Sequence, residues 1–384
     1  MEGKQVYLDH GATTRLREEV LEAIIPYLTE YYGNPSSLYT LGRHSRLAVE
    51  QARGKAALAL GAEPDEIYFT SGGTEANNIA LRGAAALNPG SHIITSSIEH
   101  PAVLKVCKQL SGQGYEVVFL PVDRHGMVSL SSLEAAITPR TGLISIMFAN
   151  NEVGTIQPVE EIGKLARARG IYLHSDAVQA VGQLPVKVNK LQVDFLSLSA
   201  HKFNGPKGSG ALYIRRGINI SPLQWGGGQE RRMRPGTENV PGIVGLGRAI
   251  ELADKEFADK SRHLIKLRDR LITGLLKLEG TVLNGHPKQR LPGNANISFL
   301  GLDGEVLLLS LDHRGVAVSA GSACSSGSRE PSHVLTAMGI DPAAAFSSLR
   351  FSLGRENTEE EIDYVLDIIS LLVSKLRDRF KVGF

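Results

Sequence analysis

The sequence predicts an α/β protein with a largely parallel sheet, and three observations support this class. Short apolar runs recur through the first two thirds of the chain, at residues 66–70, 92–97, 116–122, 143–149, 171–177, 194–200 and 210–216. Segments with helical spacing separate these runs, among them TEANNIALRGAAAL and PVEEIGKLARARG. The 41 glycines are enough for many tight turns between such elements. Strands that alternate with helices predict a parallel sheet covered on both faces, with ligands bound where strands end and helices begin.

The last third of the chain has a different pattern. A long helical pattern runs from about Val244 to Leu278, and short strand-like pieces then alternate with helices: NANISFL, GVAVSA and SLRFSL. This change predicts a second, smaller α/β domain. We expect the last helix to open at Thr358 with Glu361 as its capping-box partner, because apolar residues follow at helical spacing.

Composition excludes several function classes. The chain has 384 residues, 42% of them hydrophobic and 21% charged, which is typical of a globular protein of about two domains. A net charge of +2 without a Lys/Arg stripe gives no electrostatic case for nucleic-acid binding. Neither a signal-peptide pattern nor a long apolar run occurs. Two cysteines, Cys107 and Cys324, offer no disulfide framework or metal spacing, so we expect a cytoplasmic protein without a metal.

The first candidate site follows the run EIYFT. There SGGTEANN places Gly72 and Gly73 before Thr74 at the start of a predicted helix. Bare backbone N–H groups, a hydroxyl and the positive end of a helix dipole together favour phosphate binding. A plain helix N-cap is an equally good interpretation of this stretch alone, and no Walker pattern points to a nucleotide.

A carboxylate and a lysine follow two further predicted strands. Asp176 comes after IYLHS, with Gln179 three residues later, and Lys202 comes after DFLSLS. A lysine is protonated at neutral pH, so a reactive one needs desolvation or a carbonyl cofactor with which to form a Schiff base. A Schiff-base lysine, an acidic partner and a phosphate site are the features of a pyridoxal 5′-phosphate (PLP) site. Taken singly, Asp176 would be a strand-end cap and Lys202 a surface lysine.

The two cysteines lie in contrasting surroundings. Cys324 lies within SAGSACSSGSREP, and this Ser/Gly-rich composition favours a mobile loop. Cys107 lies in VLKVCKQL, whose helical spacing predicts an inert core residue.

Eight ordered motifs now carry a resemblance across essentially the whole chain: YLDHGATT, FTSGGTEANN, EHPAVL, ANNEVGTIQPV, HSDAVQA, SAHKFNGPKGSGALY, RPGTENV and SAGSACSSGSREP. In order and spacing they resemble the PLP-dependent cysteine desulfurases of the NifS/IscS type, within the class V aminotransferase superfamily. The resemblance implies a type I PLP-dependent transferase fold, with a mixed, mainly parallel seven-stranded sheet in the large domain and a smaller C-terminal α/β domain. It also implies a homodimer whose active sites use both subunits.

With this fold we expect three parts of the chain. Residues 1–15 form an N-terminal segment that packs with the small domain, and residues 16–250 form the large PLP-binding domain. Residues 251–384 form the small domain, which carries the cysteine loop.

The resemblance also implies roles for single residues. Lys202 holds PLP as a Schiff base, and Asp176 pairs with the protonated pyridinium nitrogen. Gln179 contacts the ring hydroxyl oxygen, and His100 stacks on the ring and carries protons, which its ordinary pKa near 6.5 permits. The implied phosphate ligands are Gly73, Thr74, Ser199, His201 and, from the neighbouring subunit, Thr237.

Three residues are implied in substrate binding. Arg350 clamps the substrate carboxylate, for which a guanidinium fork is suited. Asn151 lies beside cofactor and substrate, and Asn34 assists. Without the resemblance, His100 would only open a helix before Pro101, and Arg350 would be a surface residue at a strand edge.

The implied reaction converts L-cysteine to L-alanine, with Cys324 as the nucleophile that takes the sulfur as a persulfide. The long segment around Cys324 resembles the group I enzymes. Acceptor proteins, such as an iron–sulfur scaffold or a tRNA-thiolation enzyme, then receive the sulfur, with no direct contact to nucleic acid or membrane. The chain departs from the usual YLDNAATT or YLDNNATT at His10 and Gly11, close to the expected site, and we assign neither residue a role.

Three other functions stay open from sequence. Selenocysteine lyase or a small-amino-acid aminotransferase would keep the PLP, although transamination needs no thiol. A cysteine hydrolase would pair Cys324 with His313 and would be colourless. A noncatalytic scaffold would not need Lys202, Asp176 and Cys324 together.

Overall fold

The computed structural model describes residues 5–88, 90–320 and 330–381. Cys324 therefore lies outside the described residues. The strands are β1 (Val6–Tyr7), β2 (Ile67–Thr70), β3 (His92–Ser96), β4 (Glu116–Leu120), β5 (Thr141–Ser145), β6 (Tyr172–Asp176), β7 (Phe195–Ser199), β8 (Gly210–Ile214), β9 (Thr281–Asn284), β10 (Asn294–Phe299), β11 (Val316–Ala317), β12 (Ser319–Ala320) and β13 (Ser348–Ser352). The helices are α1 (Glu18–Thr29), α2 (Thr40–Leu60), α3 (Gly73–Leu87), α4 (Pro101–Gly112), α5 (Leu130–Ala136), α6 (Val159–Ala168), α7 (Val188–Leu191), α8 (Val240–Lys255), α9 (Phe257–Leu275), α10 (Gly304–Asp312), α11 (His333–Ala337), α12 (Pro342–Phe346) and α13 (Glu359–Lys381).

The main sheet has seven strands in the order β2-β8-β7-β6-β5-β3-β4. Strand β8 runs antiparallel to both of its neighbours, and the other pairs are parallel. The predicted α/β class with a mixed, mainly parallel seven-stranded sheet is confirmed. In such a sheet the carboxyl ends of β6 and β7 lie side by side, with Asp176 in register with Ser197.

A second, four-stranded sheet has the order β12-β13-β10-β9, and its pairs are antiparallel. Its apolar face packs with α9, α10 and α13 in one core, which also contains Val6 and Leu8 from the start of the chain. The pairing of β1 with β11 attaches the N-terminal segment to this core. The division of the chain at residues 15 and 250 stays a prediction.

The long helical pattern after residue 243 is two helices, where the sequence pattern suggested one. Helix α8 packs on α1 and α2, and its buried residues belong to the core of the main sheet as far as Ala253. Helix α9 packs on α13 and β10, and its buried residues from Leu264 onward belong to the second core. The break falls at Glu256, which accepts a 2.7 Å hydrogen bond from Arg17. Because α8 packs into one core and α9 into the other, the chain turns between the two helices.

GVAVSA, expected as one strand, is likewise divided. β11 pairs with β1, and β12 pairs with β13, so the chain changes sheet between Ala317 and Ser319.

Three helix starts agree with their sequence signals. Helix α3 begins at Gly73, directly after the glycine turn, and α4 begins at Pro101 with His100 as its N-cap. At the start of α13, Glu361 N–H donates to the Thr358 hydroxyl and Thr358 N–H donates to the Glu361 carboxylate, each at 3.3 Å. This reciprocal pair is the predicted capping box.

No helix within the described ranges has the length and apolar content that a membrane span needs.

Candidate active site

Asp176 ends β6 as a buried carboxylate with two fixed donors. Its Oδ2 accepts a 2.6 Å hydrogen bond from Asn77 Nδ2, and its Oδ1 accepts a 3.0 Å bond from the backbone N–H of Val178. The side chain is 6% exposed. Hydrogen bonds to both oxygens fix the plane of the carboxylate. Asp176 can therefore hold a positively charged ring N–H in one orientation.

Lys202 lies in a single 3₁₀ turn, Ala200–Lys202, directly after β7. Its Nζ donates to the carbonyl oxygens of Gly11 at 2.6 Å and Ala12 at 2.8 Å. Gln179 Nε2 donates to the same Gly11 carbonyl at 3.0 Å. The turn at Gly11 therefore brings together two predicted site residues that come from different strand ends.

His100 caps α4 and lies within electrostatic range of both reactive groups. Its Nδ1 accepts a 3.1 Å hydrogen bond from Ala102 N–H, so the neutral ring carries its proton on Nε2. Burial lowers the pKa of His100, the Asp176 carboxylate opposes this shift, and Lys202 and His333 add to it. The net effect favours a neutral imidazole, which is able to accept a proton.

Thr74 and His100 line the same groove, of about 370 Å³, between the first turns of α3 and α4. The glycine turn at its rim has no room for a side chain, because a Cβ on Gly73 would lie 2.6 Å from Cγ2 of Val178. The first N–H groups of a helix have no intrahelical partner, so those at the start of α3 suit an anionic ligand at the positive end of the helix. PLP needs a lysine, an acidic partner for its ring nitrogen and a phosphate site. A lysine, a buried carboxylate and this helix terminus are all present, so the residues fit the cofactor.

Arg350 lies on β13 with a buried guanidinium. Its Nη1 donates to the carbonyl oxygen of Asn151 at 3.0 Å, and its Nη2 donates to Oδ1 of Asp9 at 2.8 Å. The residue is 5% exposed, and its Nε is buried without a partner among the described residues. The structure therefore joins two of the three predicted substrate residues, Arg350 and Asn151.

Ser199 and His201 flank the lysine turn. Ser199 is buried, and its hydroxyl lies 3.6 Å from the position that a Cβ on Gly72 would take, so it borders the glycine turn. His201 bonds Thr13 through Nδ1 at 3.2 Å, and burial together with two neighbouring lysines lowers its pKa to about 4.

Other predicted residues lie apart from this group within the chain. Thr237 is exposed and lines a separate cavity of about 180 Å³ with Ser71 and Gly208. Asn34 is exposed, and its side chain accepts a bond from Ser36 N–H in a local turn. His313 follows the end of α10, and its proposed partner Cys324 is outside the described residues.

Sequence reasoning missed three residues of the site: Asn77, Asp9 and Glu99. Each lies inside a motif that was used for another residue, since Asn77 follows Thr74 by three positions and Glu99 precedes His100. Glu99 is fully buried, its Oε1 accepts from Ser96 Oγ at 2.6 Å and Met147 N–H at 2.9 Å, and burial raises its pKa to about 8.

The mixed sheet places a lysine and a buried carboxylate at the carboxyl ends of neighbouring strands, which is where α/β enzymes bind their ligands. The aminotransferase class-V family model matches residues 6–365, so the chain belongs to this family.

Within the family the chain is similar to cysteine desulfurases. It is 59% identical to cysteine desulfurase IscS of Methanosarcina thermophila, over 98% of this chain and 94% of that one. A solved NifS-like protein superimposes with a TM-score of 0.92 and 44% identity, over 97% of this chain and all of that one. SspA, solved in complex with cysteine, has a TM-score of 0.82 and 38% identity, over 92% and 99% of the two chains. The family resemblance and the type I fold inferred from the motifs are confirmed.

Proposed function

We propose that the chain is a cysteine desulfurase that converts L-cysteine to L-alanine and passes the sulfur, as a persulfide on Cys324, to an acceptor protein. The observation that carries this proposal is the buried Arg350 guanidinium, which donates a hydrogen bond to Asp9. Lys202 donates to the carbonyl oxygen of Gly11 in the same turn. An amino acid binding there would meet a carboxylate clamp beside a reactive lysine. The identity of 59% to a cysteine desulfurase supports the same reaction.

In this proposal the cofactor is PLP, and Lys202 and Asp176 hold its carbonyl carbon and its ring nitrogen. Once bound, PLP supplies an electron sink for the α-carbon of the substrate. The proposed ring contacts are His100, Gln179 and Asn151. The proposed phosphate ligands are Gly73, Thr74, Ser199, His201 and Thr237 of the neighbouring subunit.

The protein's own groups perform the remaining work. Arg350 binds the substrate carboxylate, and Asn151 and Asn34 complete the substrate contacts. Asp176 keeps its orientation because Asn77 and the Val178 N–H hold both oxygens. His100 is neutral at physiological pH because burial lowers its pKa, so it can take a proton from the incoming substrate or from the Cys324 thiol.

The sulfur step is a nucleophilic substitution at the substrate sulfur. The Cys324 thiolate forms a sulfur–sulfur bond, the substrate Cβ–S bond breaks, and a proton adds to the carbon that becomes the alanine methyl group. Cysteine and one thiol are thus converted to alanine and one persulfide, with no external oxidant. An acceptor protein then takes the terminal sulfur, and we place an iron–sulfur scaffold or a tRNA-thiolation enzyme in that role.

We further propose a cytoplasmic homodimer whose second copy covers exposed apolar side chains. Trp225 is 88% exposed and Leu38 is 83% exposed, and large apolar side chains at this exposure favour burial in an interface. Thr237 lies twelve residues after Trp225 and is exposed as well. Sedimentation of the wild type at dilute concentration should give a dimer, and Trp225→Asp should shift it toward monomer with lower PLP content. A fully active monomer would contradict the shared site.

The activity itself is tested with PLP-loaded protein, L-cysteine and a reductant. We expect alanine and sulfide in equal amounts. Pyruvate and ammonia in place of alanine would contradict the desulfurase reaction, as would an absence of turnover.

A further inference from the structure

We propose that Asp9 is a positioning residue that orients the Arg350 guanidinium for the substrate carboxylate, and thereby selects substrates that carry one. This inference rests on the proposed function. Asp9 and Arg350 are 341 residues apart in the chain, and their contact joins the N-terminal segment to β13.

The guanidinium is held at both of its terminal nitrogens. Asp9 Oδ1 takes one hydrogen bond from Nη2, and the Asn151 carbonyl oxygen takes one from Nη1. A guanidinium has five N–H donors, so three are left, and the Nε donor is buried without a partner among the described residues. A buried donor with no partner is costly, and a carboxylate ligand would satisfy it.

Asp9 is also the charged partner that a buried arginine requires. Removing one member of a buried ion pair leaves an uncompensated charge, which is strongly unfavourable. Glu152 is a second carboxyl group that interacts electrostatically with Arg350, and it accepts a 2.5 Å bond from Ser332 Oγ. Burial raises the pKa of Glu152 and so weakens it as a counter-ion. Asp9 is the carboxylate that forms the direct ion pair with the guanidinium, at 2.8 Å.

The residues after Asp9 pack directly against the guanidinium. A Cβ on Gly11 would lie 3.3 Å from Cζ of Arg350 and 3.0 Å from Oγ of Ser352. Gly11 N–H donates to that same Ser352 hydroxyl at 2.7 Å. The departure from the usual family sequence at this position thus lies against the carboxylate clamp, and the backbone that carries Asp9 is fixed to β13.

The consequence for specificity follows from these contacts. Because Asp9 and Asn151 occupy one donor each on Nη2 and Nη1, the guanidinium cannot rotate freely, and its remaining donors keep one direction. A ligand with a carboxylate gains affinity from this fixed orientation of the Arg350 donors. Cysteamine, which is cysteine without the carboxylate, gains nothing from it.

The test uses the PLP-loaded full chain and the variant Asp9→Asn, which keeps the shape of the side chain and removes its charge. We expect KM for L-cysteine to rise about tenfold and kcat to stay within threefold of wild type. Cysteamine binding, followed by visible absorbance, should be equal in both proteins. Asp65→Asn is the matched control, because it removes an exposed carboxylate that pairs with Arg216, and its KM should be unchanged.

An unchanged KM in Asp9→Asn, or an equal loss of affinity for cysteamine, would overturn the proposal. If Asp9→Asn fails to fold, Asp9→Glu decides, because it retains the charge but moves the carboxylate by one methylene. We expect at least a threefold rise in KM for L-cysteine there, and an unchanged value would overturn the proposal equally. Wild type without desulfurase activity would instead refute the proposed function.

Discussion

Asn77 Nδ2 donates a 2.6 Å hydrogen bond to Oδ2 of Asp176, which links the first turns of α3 to the end of β6. Asn77 is 1% exposed, and its own Oδ1 has no partner among the described residues. The same helix begins at the glycine turn that borders the proposed phosphate site. One helix therefore supports both the phosphate end and the ring end of the proposed cofactor site.

Asn77→Ala should lower kcat about tenfold while PLP content stays near wild type. A hydrogen bond to a charged group contributes about 1.5–3 kcal/mol, and its loss frees the Asp176 carboxylate to turn. Steady-state kinetics with L-cysteine and the visible absorbance of each protein provide the measurement.

The control for this change is Asn189→Ala. Asn189 is exposed and donates to the carbonyl oxygen of Gly61 on the surface. Equal kcat in Asn77→Ala and the control would mean that Asn77 does not hold Asp176 in a catalytically relevant orientation.

Lys202 should be the residue that borohydride fixes to the cofactor. Peptide mapping of the reduced wild type should find the pyridoxyl group on the peptide that contains Lys202. Lys202→Ala should give no reducible adduct, whereas Lys207→Ala, an exposed lysine from the same motif, should keep it. An adduct on any other lysine would remove Lys202 from its proposed role.

The fold and the strand-end residues could be predicted from sequence because both depend on local patterns. Alternating apolar runs predicted the strands of the main sheet, and Asp176 and Lys202 follow two of those runs directly. The turn at Glu256 could not be predicted, because it depends on where two separate cores lie, while the helical periodicity continues across it. Residue 256 is a glutamate, and no Gly or Pro stands there to mark the break in the sequence.

The residues that hold the catalytic and binding groups in place were harder to predict from sequence. Asn77 and Glu99 are single polar residues in helical or loop patterns. Only the packing of α3 on β6 and the pairing of β3 with β5 show what they contact. The Asp9–Arg350 pair spans almost the whole chain, and no local pattern encodes such a contact. The roles implied by the motifs for Thr237 and Asn34 stay predictions, because each depends on a second subunit or on bound substrate.

Glu99 should make the stability of the protein fall as pH rises from about 4.5 to about 8. Burial raises the pKa of Glu99 to about 8 in the folded state, so the folded protein holds a proton there that the unfolded chain releases above its ordinary pKa. Stability from this group is complete below the unfolded pKa and is lost as pH rises through the folded one. The free energy of unfolding of Glu99→Gln minus that of wild type should therefore be larger at pH 8.5 than at pH 5.

Urea unfolding of both proteins at the two pH values measures this difference. Glu134→Gln is the control, because Glu134 is exposed in an ion pair with Arg169, and its difference from wild type should not change with pH in that way. A constant difference between wild type and Glu99→Gln would show that Glu99 is ionised in the folded protein.

Cys324, as the sulfur carrier, is the centre of the proposed mechanism, and Cys107 provides its internal control. Cys107 is fully buried, and burial raises the pKa of its thiol to about 12, so it stays protonated and unreactive at neutral pH. The most direct measurement is peptide mass spectrometry after wild type, Cys107→Ser and Cys324→Ser are mixed with L-cysteine without reductant. The peptide that contains Cys324 should gain the mass of one sulfur atom in wild type and in Cys107→Ser, while Cys324→Ser keeps its visible absorbance but forms no persulfide and little alanine. A persulfide found only on Cys107, or alanine release at the wild-type rate by Cys324→Ser, would contradict the mechanism.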